Sequence, residues 1–162
     1  MMPATDTATD EMWMRAAMEE ARGSEAAGEV PIGAVAVVNG AIVGRGQNRV
    51  LRDLDPTAHA EIVALRQAAV AVGNYRLTEC ELYITLEPCA MCAGAMVHAR
   101  LKRLVYGAAD PKAGAAGSVL DVLNHPKLNH HMEVTAGVLG EACGQMLREF
   151  FRAKRAQEDG RG

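Results

Sequence analysis

Two short runs in this chain combine residues able to bind a metal ion and to move protons. They are His59-Ala60-Glu61 and Pro88-Cys89 followed by Cys92, with 26 residues between Glu61 and Pro88. Cys89 and Cys92 are three apart, so on one helical turn their sulfurs share a face and can share one ion. Metal binding needs thiolate, and the exposed amides and dipole at a helix N-terminus favour that form. His59 adds a third, borderline-soft ligand, and a His/Cys/Cys set suits Zn²⁺. Three protein ligands on a tetrahedral ion leave one position for water, which distinguishes a catalytic site from a closed structural one. Glu61, two residues from His59, can overhang the ion without joining it. Its carboxylate can take a proton from that water and pass it to a ring nitrogen and to departing ammonia. The chemistry this predicts is hydrolytic deamination of an amidine-like carbon, such as C6 of adenine or C4 of cytosine.

Other readings of the same residues stay open. C-x-x-C alone is compatible with a redox pair or half of a structural zinc site. A closed site needs a fourth ligand, for which Cys80, His98 or His125 is available. A redox pair leaves His59 and Glu61 without a role. The combined pattern, with both runs opening helices, is far more specific than either part.

The elements that must position these runs follow from periodicity and turn chemistry. Asp10 is placed to cap a first helix reaching about Ala27. Ile32 to Val38 reads as a strand, Asn39-Gly40 as a two-residue turn, and Ala41 to Gly46 as the antiparallel return. Residues 49–57 form a loop, and a helix runs from about His59 to Val72, ended by Gly73-Asn74. Glu81 to Leu86 is a third strand, Cys89 to Ala99 a helix with Pro88 at its start, and Arg103 to Tyr106 a fourth strand. After a Gly/Ala-rich loop, 118–131 reads as a short helical turn and loop. Glu133 to Val138 is a fifth strand, and a last helix covers about Gly140 to Ala156. Strands alternating with helices after an opening hairpin predict an α/β, three-layer sandwich with a mixed five-stranded sheet.

The 162 residues fit one domain, and 49% of them are hydrophobic, enough for a substantial core. We assign residues 1–9 to a disordered N-terminal segment, 10–157 to the single domain and 158–162 to a flexible tail. No apolar run approaches the roughly 20 residues of a membrane span. The Thr/Asp-rich start does not resemble a secretion signal. Cys80 and Cys143, isolated in apolar surroundings, read as core thiols. The net charge of -3 does not advertise nucleic-acid binding, but Arg148, Arg152, Lys154 and Arg155 cluster near the C-terminus. Such a local patch can bind phosphate, or can simply be a solvated helix.

The paired runs match the signature of zinc nucleobase deaminases. Longer strings resemble, more narrowly, the bacterial tRNA-specific adenosine deaminase family within the cytidine/deoxycytidylate deaminase superfamily. They are EVPIGAV (29–35), DPTAHAEI (55–62), NYRL (74–77), TLEPCAMCAGAM (85–96), DPKAGAAGS (110–118) and EFF (149–151). The resemblance implies a cytidine-deaminase-like fold and conversion of adenosine to inosine at the wobble position of an arginine tRNA. It implies one Zn²⁺ per subunit held by His59, Cys89 and Cys92, with Glu61 as proton shuttle. It also implies a cytoplasmic homodimer acting on the tRNA anticodon loop, with no membrane and no nucleotide cofactor.

By the same resemblance Asn48 hydrogen-bonds the target base, the Leu86-Glu87 turn and the Cys89 amide line its pocket, and Asp110 lies near the flanking nucleotides. Phe150 and Phe151, beside Arg152 and Lys154, are candidates to stack on anticodon-loop bases, though an aromatic pair on a terminal helix can equally be packing. Gln47, Val50 and Ala109 depart from the family pattern, where an aromatic, a proline and a basic residue are expected. The rivals are a deaminase of free guanine, cytosine or cytidine, and a non-catalytic zinc-stabilised RNA-binding module.

Overall fold

The computed structural model describes residues 6–160. Its order is α1 (Thr7–Ala26), β1 (Gly33–Val38), β2 (Ala41–Gln47), α2 (Ala60–Val72), β3 (Cys80–Leu86), α3 (Ala90–Ala99), β4 (Arg103–Ala108), β5 (Glu133–Thr135) and α4 (Gly140–Asp159). The five strands form one sheet ordered β2-β1-β3-β4-β5. β1 is antiparallel to both β2 and β3, whereas β3, β4 and β5 run parallel. The Asn39-Gly40 turn closes the opening hairpin with both residues at positive φ, as a tight two-residue turn demands.

Alternation along the strands divides the core into two layers. Ala34, Ala36, Leu82, Ile84, Leu104 and Tyr106 face α2 and α3, which bring Ala64, Ala68, Cys92 and Met96. On the other face Val35, Val37, Tyr83 and Val105 meet Met14, Ala17 and Met18 of α1 and Cys143 of α4. This is the expected α/β/α sandwich. Cys80 and Cys143 are buried in it as free thiols. Small residues let α2 come close to the sheet: a Cβ at Gly46 would overlap the Ala60 carbonyl oxygen, so the helix that starts beside His59 lies directly on β2.

Several expected boundaries move. The first helix is capped by Asp6, whose Oδ1 accepts from Ala8 N–H at 3.1 Å, and not by Asp10. Asp10 turns inward onto β4, where Arg103 donates to its two oxygens at 2.8 and 2.7 Å and Tyr83 O–H donates at 2.9 Å. That partner lies 93 residues away, so no local pattern reveals it. Residues 7–9, expected to be disordered, therefore belong to α1, while residues 1–5 lie outside the described residues. At the other end α4 continues through Asp159, and residues 161–162 lie outside the described residues. The segment 118–131 holds no helix: it has turns at 123–124 and 126–127, where Leu128 N–H donates to the His125 carbonyl at 3.0 Å, and Asp121 bridges back to Ala116. β5 is shorter than expected because it pairs with β4 only over Arg103–Val105.

Candidate active site

α2 and α3 begin beside one another at the C-terminal end of β3. His59 and Cys89 occupy the N-cap positions of the two helices, in extended backbone, and neither side chain caps its own helix. Both are thus free to point at a common centre. His59 Nδ1 lies 3.4 Å from Cys92 Sγ and 3.7 Å from Cys89 Sγ. The three donor atoms are all within 4.8 Å of one another, and among the described residues they form the one cluster of at least three such donors. Neither Cys80, His98 nor His125 joins it, so among the described residues the closed four-ligand alternative finds no fourth protein ligand.

The electrostatics fit a cation. The hydrogen bonds from the Cys92 thiol and from His59 pull Cys89 down to about 3, against burial. Its hydrogen bond to Cys89 pushes Cys92 well above an ordinary thiol, and burial adds to this. Cys89 is thus favoured as a thiolate accepting from the Cys92 thiol, and a dication at the centre would let both ionise. His59 is raised chiefly by its hydrogen bond with Cys89, with the Glu61 charge adding to it and burial opposing.

His59 and Cys89, with the buried Cys92 behind them, form one wall of a cavity of about 230 Å³ whose other lining residues are Ile32, Asn48, Ala60, Glu61, Leu86, Glu87, Asp110 and Ala113. Its position, outside the carboxyl ends of parallel strands, is where α/β sheets commonly hold ligands. Glu61 is 5% exposed, and burial pushes its carboxyl up to about 7. Glu87 is 2% exposed but accepts from the N–H groups of Asp110, Ala116 and Ser118 at 3.0 to 3.1 Å, and from the Ser118 hydroxyl. Burial would raise its carboxyl, but these bonds, led by Ser118, hold it below the usual range. A Cβ at Gly114 would overlap that carboxylate, so the glycine-rich loop wraps tightly around Glu87.

Asn48, Leu86, Glu87 and Asp110 therefore converge on the cavity with the His/Cys cluster and Glu61. Phe150, Phe151, Arg152 and Lys154 do not reach it. Phe151 and Arg152 instead line a surface groove with Lys112, Leu147, Arg148 and Arg155. Phe150 meets Phe151 edge-on at 5.2 Å, and Lys154 Nζ sits 5.8 Å from the Phe150 ring. Lys112 is two residues beyond Asp110, so the groove and the cavity share one loop. Sequence reasoning missed Ser118, the partner of Glu87, and Glu29. Glu29 is fully buried and accepts from Leu51 N–H, Arg52 N–H and Arg52 Nε. An acid in the otherwise apolar run EVPIGAV was the available signal for Glu29.

A family model described as MafB19-like deaminase matches residues 8–155. The chain is 52% identical to a tRNA-specific adenosine deaminase of Haemophilus influenzae, over 92% of this chain and 87% of that one. It is 46% identical to the tRNA-specific adenosine deaminase of Bacillus subtilis, over 92% of each. The chain belongs to the tRNA-specific adenosine deaminase family. A solved structure from a study of A-to-I editing by tRNA:A34 deaminases at the wobble position of transfer RNA superposes with a TM-score of 0.81. It has 43% identity and covers 84% of this chain and 99% of that one. A guanine deaminase from Nitrosomonas europaea shares the fold at a TM-score of 0.76 but only 28% identity, over 86% and 83% of the two chains. The mixed five-stranded sheet with its flanking helices is the cytidine-deaminase-like fold of these relatives.

Proposed function

We infer that this chain converts adenosine to inosine at the wobble position of a tRNA, releasing ammonia. The observation that carries the reading is the His59/Cys89/Cys92 cluster and the buried Glu61 carboxylate on one cavity, in a chain 52% identical to a tRNA-specific adenosine deaminase. We assign His59, Cys89 and Cys92 as the ligands of one Zn²⁺ per subunit, since one histidine and two thiols converging on one point are a donor set for a borderline-soft dication. When bound, such an ion supplies Lewis acidity that makes a water nucleophilic near neutral pH. Glu61 takes one proton from the attacking water as the C–O bond forms at C6 and passes it to the ring nitrogen. It then takes the second proton from the new hydroxyl and passes it to the amino group, so that the C–N bond breaks and ammonia leaves. Asn48 orients the base, while Leu86 and Glu87 shape the wall beside it. Asp110 and the loop held by Glu87 border the flanking nucleotides.

The groove formed by Lys112, Arg148, Phe151, Arg152 and Arg155, with Phe150 and Lys154 beside it, is chemically suited to the anticodon loop. Arginines can meet phosphates there and an exposed ring can stack on a splayed base. The family resemblance points to an arginine tRNA, a cytoplasmic setting and a homodimer. For the last, the apolar groove between α2 and α3, lined by Ile62, Leu65, Ala69, Leu77, Ala95 and Ala99, offers a contact surface. No described helix is long and apolar enough to cross a membrane. A scattering mass of one chain would sink the dimer.

Incubating the protein with tRNA and mapping inosine tests the central reading, with Glu61→Gln as the comparison. Inosine should appear at the wobble position with the wild type and not with Glu61→Gln, which should still bind zinc. The guanine deaminase likeness favours one second reading, a free-base enzyme. Turnover of free guanine, cytidine or adenosine with none on tRNA would favour it. If Glu61→Gln retained the biological activity, a non-catalytic RNA-binding module would be the better description.

A further inference from the structure

The loop joining β2 to α2 carries Asn48 into the cavity wall, and one side chain of that loop ties Asn48 to the end of β2 and to the α1–β1 connection. Arg52 Nη2 donates to the Asn48 carbonyl at 2.7 Å and to Gln47 Oε1 at 3.2 Å, while its Nε donates to Glu29 Oε2 at 3.2 Å. We propose that Arg52 is a positioning residue for target-base recognition, clamping the Asn48 segment of the cavity wall against Glu29 and Gln47. This role rests on the reading of Asn48 as the group that orients the base.

The clamp is anchored at both ends. Glu29 has no exposed surface, and the N–H groups of Leu51 and Arg52 donate to it as well, so its charge is neutralised within the loop itself. Gln47 in turn donates to Glu20 Oε1 of α1 at 3.3 Å. The Asn48 peptide is gripped on both sides. Its N–H donates to the Ile32 carbonyl at 3.2 Å, and its carbonyl accepts from Ser24 Oγ at 3.3 Å in addition to Arg52. Asn48 itself is only 7% exposed. Gln47, where the family pattern leads one to expect an aromatic, is thus an acceptor in the clamp.

A planar guanidinium can serve three acceptors at once, and a lysine ammonium on a flexible stem cannot do so in this geometry. The bonds commit Nε and both Nη2 hydrogens and leave Nη1 for solvent or a phosphate, so the Kd measurement below separates a clamp from an RNA contact. Small displacements of a positioning group lower the rate of the chemical step far more than they weaken overall binding of a large substrate.

The test measures single-turnover inosine formation and tRNA Kd for zinc-loaded wild type, Arg52→Ala, Arg52→Lys, Asn48→Ala and the Arg52→Ala/Asn48→Ala double variant. Arg52→Ala should slow the chemical step about tenfold, change Kd less than about twofold, and be only weakly rescued by Arg52→Lys. In the Asn48→Ala background it should cost less than about threefold, because the two residues act through one interaction. A raised Kd with an unchanged rate would make Arg52 an RNA contact and overturn the clamp, as would losses that multiply. Amide exchange at residues 48–52 should also quicken in Arg52→Ala without any substrate, and unchanged exchange would likewise overturn it. If that variant does not fold, Gln47→Ala leaves Glu29 its partners and should show the same pattern with a loss of about threefold. Absence of inosine with the wild type would defeat the functional reading, whereas the exchange measurement would still report on the clamp.

Discussion

Glu61 and Glu87 line the same cavity, both almost out of contact with water, yet their surroundings push their acidities in opposite directions. Around Glu61 burial dominates, and the carboxyl is raised to about 7. Around Glu87 three backbone N–H groups and a hydroxyl stabilise the charged form more than burial destabilises it. Burial alone therefore does not tell a proton carrier from a structural anion; the count of donors does. Glu61 sits where a carboxyl can exchange protons with a reacting group. Glu87 spends its oxygens organising residues 110–118 into the cavity rim.

The sharpest way to break this comparison is to disable the proposed metal centre on the wall of the same cavity. Cys89→Ala, or treatment with a strong chelator, should reduce inosine formation to background, and added zinc should restore only the chelated wild type. Metal content measured on the same samples checks the cause. Glu61→Gln comes next. It keeps the shape but cannot carry a proton, so the single-turnover rate should fall by about 10³-fold while bound zinc and thermal stability hold.

Glu87→Gln should reverse that pattern. Replacing an anion that satisfies four donors should lower unfolding free energy by about 1–3 kcal/mol in urea melts, with a rate loss far below that of Glu61→Gln. The pH dependence sharpens the same contrast. Glu87, Glu29 and Asp10 are all held below their ordinary values of 4.5, 4.5 and 3.8. For Glu29, burial is outweighed by the Arg52 and Leu51 amides and the Arg52 guanidinium. For Asp10, burial is outweighed by Arg103 and Tyr83. As pH falls, the unfolded chain takes up these protons first. The stabilisation is therefore complete above about pH 4.5 and is lost as pH drops through the lower folded-state values. Urea melts between pH 3 and 7 should show that acid limb, and Glu87→Gln should flatten it. The smallest effect belongs to the surface groove. Arg152→Ala should weaken tRNA binding without changing the single-turnover rate, and should reduce the salt dependence of Kd by about one ion.

Residues that meet their partners nearby were readable in advance. The Asn39-Gly40 turn, the Gly73 stop and the helices opening at His59 and Cys89 all follow from local backbone preferences. The assignment of His59, Cys89 and Cys92 to one centre came from ligand spacing and donor type. Asp10 shows where such reading ends. Its position before a helical run suited a cap, but the pull of Arg103 across the core was stronger. The clamp on Glu87 was equally hidden, since Ser118 is 31 residues away and binds through loop backbone with no periodicity. Glu29 stands in a family-like string that gives no hint of its partner, and Arg52 stands in no motif; they meet because the loop before α2 folds back over the α1–β1 connection.

By itself the sequence determined the donor set, the reaction class it allows, the α/β order of elements and, through its long family-like strings, the choice of adenosine in tRNA. Those depend on residue identity and short spacing, which folding does not alter. The tertiary structure alone decided which buried acid is left short of donors, which is saturated with them, and which surface arginine grips the cavity wall. Charge state and orientation are set by neighbours distant in the chain, and only packing brings those neighbours together.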